Sequence, residues 1–395
     1  MNVTTFKATP AAAQGAWRLP DGRWSAAALG AGGALALLLA LVLGATQGAY
    51  SVTLTDLWAG PASPGAEVFW HIRAPRLVMA VLAGAALGVS GALVQGLFRN
   101  PLADPGLIGV SSGAALGAGM AIVMAPLLPQ VLGFWPVIAL AFVGGLLVTG
   151  VVWQLSRADG LIHTPLLLLV GVAINALAGA GLGLLSHLAS DIQLRTLTFW
   201  LLGSLGGSQW HTTLTCALVV AAVLCVAPSQ ARALNALALG EAQARLMGVP
   251  VTKVQQRCVV LVALAVGAVT ALTGIVGFIG LLAPHAVRLL AGPDHRVVLP
   301  ASAVVGAVLV LLADTAARTA FAPGDLPLGV LTGLLAPTSG SVELGGEPAP
   351  PIADRGAWRQ RVACVYQRWT VLPSLTVAEN LFLNNQPLRS SGAID

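Results

Sequence analysis

Residues 73–113 read RAPRLVMAVLAGAALGVSGALVQGLFRNPLADPGLIGVSSG. Past Arg73-Ala74-Pro75-Arg76, the stretch from Leu77 to Phe98 carries no charge, and glycines recur at 84, 88 and 91. A run of about 20 apolar residues suits a helix in hydrocarbon, where every backbone N–H and C=O must be satisfied internally. Small residues at helical spacing let two such helices come close, because association in lipid relies on packing. Prolines and glycines from Pro101 to Gly109 then break the run. Outward from this stretch the chain has the same character, with 56% hydrophobic and 9% charged residues over 395. A soluble fold would lack the polar surface to cover such a core.

Spans are expected near residues 31–49, 77–98, 107–127, 131–153, 165–188, 212–228, 258–276, 278–291 and 297–313. The seventh and eighth run together, and Gly274 and Gly277 mark the break between them. Residues 194–205 are apolar but short, which fits a re-entrant or interfacial helix. Residues 1–23 are polar and do not resemble a cleavable leader, so the first span is expected to be retained. Cys216, Cys225, Cys258 and Cys364 have no metal-ligand spacing, and no metal site is expected.

The formal charge of +5 does not call for nucleic acid. With the N-terminus inside, counting spans places Arg99, Arg157, Arg232, Arg245, Lys253, Arg257 and Arg296 on the inner side, as the positive-inside bias requires. Arg73, Arg76, Arg195 and Arg318 fall outside and need another reason.

The 73–113 stretch resembles the FecCD permease family of ATP-binding-cassette importers. The match joins Arg73-x-Pro75-Arg76, the glycine ladder, Gln95, Asn100-Pro101-Leu102 and Gly109-x-Ser111-Ser112-Gly113. It continues in LALGEAQARLMGVP at 237–250, GFIGLLAPHAVRLLAGPDHRVVLP at 277–300, ADTAAR at 313–318 and GDLPLGV at 324–330. The resemblance implies an all-α polytopic bundle of ten spans, built from two inverted repeats, in the bacterial inner membrane. Two permease copies, or a copy and a paralogue, would form the pathway. Separate ATPase subunits would sit beneath and an external binding protein above, with lipid around and no cofactor bound directly. The cargo would be an iron-siderophore complex, with haem or cobalamin as the alternative within the same family.

Residue by residue, the resemblance implies that Arg73, Arg76 and Arg318 receive acidic residues of the binding protein. A guanidinium stays charged and pairs bidentately with carboxylate; anchoring helix ends at the headgroups is the other reading. Leu239, Gly240, Glu241, Ala244, Arg245 and Gly248 match the element that seats in the ATPase, and residues 234–250 can form two short helices joined by a glycine turn. Asn175 either lines the pathway or bonds a neighbouring helix, as does His187. His285 reads as structural.

The organisation expected is a cytoplasmic tail over 1–30, a permease domain over 31–330 and a different text over 331–395. LTGLLAPTSGSVELGG and VYQRWTVLPSLTVAENLFL, the latter at 365–383, resemble parts of a sugar-type ABC ATPase, with Gln367 at the Q-loop position. The phosphate-binding Gly-x-x-x-x-Gly-Lys-Ser/Thr, the signature motif and a Walker B carboxylate are absent, and the lysines are Lys7 and Lys253 alone. An enzyme is therefore not expected. The chain is expected to have lost its tenth span through an in-frame join between two genes or an assembly error, and to show low or absent transport for that reason. A secondary transporter would carry ionisable residues within its spans; here they cluster at span ends.

Overall fold

The computed structural model describes residues 24–48, 64–127, 129–158, 161–162, 164–320 and 326–334, with the pairs 343–344 and 347–348. Residues Met1–Ala336 and Pro337–Asp395 form two separate units. In the first, the helices are α1 (Ala26–Thr46), α2 (Ala74–Phe98), α3 (Val110–Val123), α4 (Trp135–Leu155), α5 (Thr164–Leu188), α6 (Asp191–Leu202), α7 (Trp210–Val226), α8 (Ala231–Ala238), α9 (Glu241–Leu246), α10 (Val251–Thr273), α11 (Ile279–Ala291), α12 (His295–Ala320) and α13 (Leu328–Leu334). A short helical lead-in from Pro64, wound as π-helix over Phe69–Arg73, runs into α2.

Among the described residues, 7 helices are long and apolar enough to cross a membrane. They are α1, α2 with its lead-in, α4, α5, α7 with its continuation into α8, α10 and α12. Two of the nine expected spans contain shorter helices, since α3 and α11 have 14 and 13 residues. At 1.5 Å per residue each spans about 20 Å, short of about 30 Å of hydrocarbon. The physical cause is local. Before α3, the Asp104 side chain accepts the Gly106 N–H at 2.7 Å and starts a 3-10 turn over Pro105–Ile108. Gly109 then turns left-handed at φ +89°. Burial raises the Asp104 carboxyl above its usual range, and the Gly106 N–H partly offsets this. Before α11, Gly274 ends α10 at φ +72°, as its sequence position suggests, and Phe278 also takes positive φ. The short apolar run expected over 194–205 is α6, opened by a reciprocal Ser190/Gln193 cap. Gln193 Nε2 also donates to the Val123 carbonyl at 3.0 Å, fixing α6 to the end of α3.

The centre of the unit is α2. In its most apolar window 83% of residues are buried, against 17% in α5 and 11% in α1. It packs on α7, α10, α11 and α12. The close approach is backbone to backbone: a methyl group on Gly84 would overlap the Gly306 carbonyl, and one on Gly91 would overlap that of Gly280. With lipid tails as apolar as the side chains, such contact is what holds membrane helices together. Gln95 adds polar fastening by donating to the Gly280 and Leu281 carbonyls at 3.4 and 3.3 Å.

In the second unit the structure describes one antiparallel pairing, Glu343–Leu344 with Glu347–Pro348. The tail's resemblance to an ATPase fragment, with Gln367 and Cys364, otherwise lies outside the described residues, as do residues 1–23 of the expected N-terminal tail.

Replacing Gly84 by valine is expected to destabilise the bundle by at least the roughly 1–3 kcal/mol typical of overpacking, since backbone must move. Gly32→Val, where no atom lies within 4 Å of a built Cβ, is the matched control. Thermal unfolding in detergent should separate the two; equal melting temperatures would refute this packing account.

Candidate functional site

The described residues present three polar regions along the bundle, none of them a metal centre: no group of three or more His, Cys, Asp or Glu could hold an ion among them. The first lies where the start of α2 meets the end of α12. Asp314 is one helical turn before Arg318, so the two meet on one face, and the Arg318 Nε donates to Asp314 Oδ2 at 3.1 Å. Arg76 approaches the same carboxylate with Nε at 3.0 and 3.2 Å from its two oxygens and Nη2 at 2.9 Å from Oδ1. Arg73 Nη1 donates to the Ala45 and Thr46 carbonyls at 2.6 and 3.3 Å. Arg318 reaches the Gly44 and Gln47 carbonyls at 3.1 and 3.3 Å. The last turn of a helix leaves carbonyls without intrahelical partners and carries the negative end of the dipole. Two guanidiniums therefore cap α1 while two embrace Asp314, tying α1, α2 and α12 together.

All three arginines expected at an outer docking surface are thus brought together, but they are buried, at 5–8% exposure, and engaged within the chain. Asp314 was missed in the reading of the sequence, although an acid four residues before Arg318 in ADTAAR is the signal for it. Arg195, also assigned to that side, is exposed and stacks over Phe199 at 5.7 Å. Aromatic residues gather at this end. Trp210 Nε1 donates to the Trp70 carbonyl at 2.8 Å, and Trp135 lies 5.7 Å from His211. Such residues mark a membrane–water interface.

The second region lies at the start of α12, and the helix separates His295 from Arg318 by about 35 Å. The segment expected to form two short helices around a glycine does so: α8 and α9 flank Gly240 at φ +116°, and Gly248 follows at φ +79°. Ala244 is fully buried, whereas Leu239, Leu246 and Met247 are 65%, 89% and 63% exposed. Arg245 stands 3.9 Å from Glu241. Two side chains secure the segment to the bundle. Asn235 on α8 donates to Asp294 Oδ1 at 2.7 Å and accepts the His295 N–H at 2.9 Å. The Asp294 carboxyl is held below its usual range chiefly by the Arg296 N–H, against a smaller opposing effect of desolvation and with help from Asn235 and nearby positive charge. On α9, Glu241 Oε1 accepts from Thr164 Oγ1 at 2.7 Å, and Gln255 Nε2 donates to the same hydroxyl at 3.4 Å. Thr164 is the first residue of α5. Neither Asn235 nor Thr164 stood out in the sequence, since a polar residue at a helix end is ordinary until its partner is known.

Between these ends Asn175 of α5 lines a cavity of about 320 Å³ with Ser111, Ser112, Leu201 and Ile275. Its amide is bonded on both sides: Ser112 Oγ donates to Asn175 Oδ1 at 2.5 Å, and Asn175 Nδ2 donates to the Gly106 carbonyl at 3.1 Å. Of the two readings of Asn175, the bond to a neighbouring element is seen: the side chain stands at a cavity wall and fastens α5 to Ser112 of α3 and to the turn before it. His187 and His285 are exposed and join none of the three regions.

The FecCD transport family profile matches residues 34–337. The chain is 45% identical over 306 residues to the hemin transport system permease protein HmuU of Yersinia pestis, covering 76% of this chain and 90% of that one. It is 39% identical over 304 residues to the vitamin B12 import system permease protein BtuC of Escherichia coli, with coverage of 76% and 89%. A solved inward-facing ABC transporter described as metal-chelate type superposes with TM-score 0.70 at 29% identity, covering 79% of this chain and 97% of that one. With this family match over most of its length, and with seven membrane-length helices around a buried glycine-laddered α2, the chain belongs to the FecCD transport family: it is a multi-pass membrane permease of an ABC importer and not itself an enzyme.

Proposed function

We propose that this permease carries a metallo-tetrapyrrole of the haem type, driven by separate ATPase subunits that grip α8 and α9. The coupling geometry carries the reading. Leu239, Leu246 and Met247 are apolar side chains exposed beside Arg245 on a segment secured to the bundle, a surface suited to burial in a partner. The Glu241–Thr164 bond links that surface directly to α5, the weakly buried helix bearing Asn175. For the cargo, 45% identity to a hemin permease favours haem over the siderophore complex that the family resemblance first suggested. Cobalamin is the second reading, on 39% identity to a vitamin B12 permease.

Two copies are taken to enclose the pathway along the exposed face of α5. The buried arginine cluster shapes the docking end, with acidic residues of a binding protein approaching its rim. The residues beyond the family match add no ATPase activity, for want of a phosphate-binding lysine loop.

Thr164→Val should keep the shape of the side chain and lose the bond to Glu241. With a cognate ATPase present, complex assembly should persist while substrate-stimulated hydrolysis falls about tenfold, and Thr164→Ser should restore it. Full stimulation in Thr164→Val would remove this link from the coupling route.

At the docking end, Arg73→Glu and Arg318→Glu should weaken capture of the loaded binding protein, more so at low salt. Arg76→Ala should also destabilise the permease by about 1–3 kcal/mol, since Asp314 loses its bidentate partner and keeps only Arg318. Unchanged affinity in both charge reversals would exclude the cluster from docking.

Reconstituted with ATPase and binding protein, a version carrying a family-type tenth span after Gly329 should take up haem in preference to cobalamin and ferric siderophore. The chain in its present form should show little uptake. Preference for either other cargo would overturn the haem assignment.

A further inference from the structure

The membrane face between α4 and α10 holds a groove of about 320 Å³ lined by Thr149, Gly150, Trp153, Gln256, Val260 and Leu264. Its floor is open at Gly150, where a built Cβ meets nothing within 4 Å. Thr149 is 4% exposed, yet its hydroxyl has no hydrogen-bond partner among the described residues. Both walls end in a cation on the same side. On the α4 wall, Arg157 lies over the Trp153 ring with its guanidinium carbon 5.6 Å from the centroid. On the α10 wall, Lys253 precedes Val260 by two turns and so continues the same helix face. Lys253 and Arg157 are exposed, and no carboxylate pairs with either among the described residues.

We propose that this groove is a binding site for an anionic phospholipid, with an acyl chain lying along Gly150 and Val260 and the phosphate held between Arg157 and Lys253. An aliphatic chain matches the apolar walls. A phosphate ester matches two exposed cations where the positive-inside bias places the inner leaflet. Trp153, amphipathic and packed under Arg157, sits where the apolar and charged parts of the lipid would meet. The bias alone explains cations at this end but not their placement over one open groove. Basic pockets between membrane helices bind anionic headgroups for the same reason.

The test uses the full chain in detergent, titrated with phosphatidylglycerol or phosphatidylcholine of identical acyl chains and read by native mass spectrometry. Phosphatidylglycerol should be retained more tightly, by about fivefold for each cation. Arg157→Gln with Lys253→Gln should reduce its retention to that of phosphatidylcholine. Gly150→Leu should fill the groove and abolish tight retention of both lipids, with helix content by circular dichroism unchanged. Equal retention of the two lipids by the unaltered chain would overturn the proposal. So would a headgroup preference that survives Gly150→Leu, which would show a surface charge effect without a groove.

Discussion

Everything in the bundle depends on how closely α2 can approach α11 and α12. In a solvent as apolar as the side chains, no hydrophobic force drives one membrane helix against another, and stability comes from contact and from polar groups with nowhere else to go. Gly84 against Gly306 and Gly91 against Gly280 bring backbones together at distances that exclude a Cβ. Gln95 then bonds the carbonyls exposed at the irregular start of α11. Without those contacts neither the arginine cluster at one end of α12 nor the Asn235 anchor at the other would have a fixed frame.

Against this frame α5 is loosely held. Its Thr164 is bonded to the segment proposed to meet the ATPase, and its Asn175 is bonded to the turn before α3. A displacement of α9 would therefore be passed to a helix able to respond, while α2, α11 and α12 would resist. The buried Arg76–Asp314–Arg318 group serves the same division. A bidentate buried pair is costly to break, so this end of α1, α2 and α12 would be expected to move as one body.

Much of this was legible in the sequence. Uncharged runs located the helices, and glycine placed the break at 274–278 and the turn between α8 and α9, because these follow from local backbone rules. The lengths of α3 and α11 were not legible. An apolar residue reads alike in a helix and in the Asp104–Gly109 turn beside it, and only the capping geometry separates them. The three arginines proposed for docking lie together, but their burial was not foreseen, since it depends on Asp314 and on the α1 carbonyls contributed from far along the chain. Thr164 and Asn235 were invisible for the same reason: a hydrogen bond across 77 or 60 residues leaves no mark on either neighbourhood.

The central claim, a rigid α2–α12 core with a responsive α5, is tested most directly by pulsed electron-resonance distances in the assembled importer with its native cysteines replaced. One label pair would join Val78 on α2 to Leu312 on α12, and the other Leu188 on α5 to Leu312, all exposed positions. On adding ATP, the first distance should stay fixed while the second changes by more than the roughly 1–2 Å of ordinary helix shifts. Movement of the first pair as large as that of the second would contradict the account.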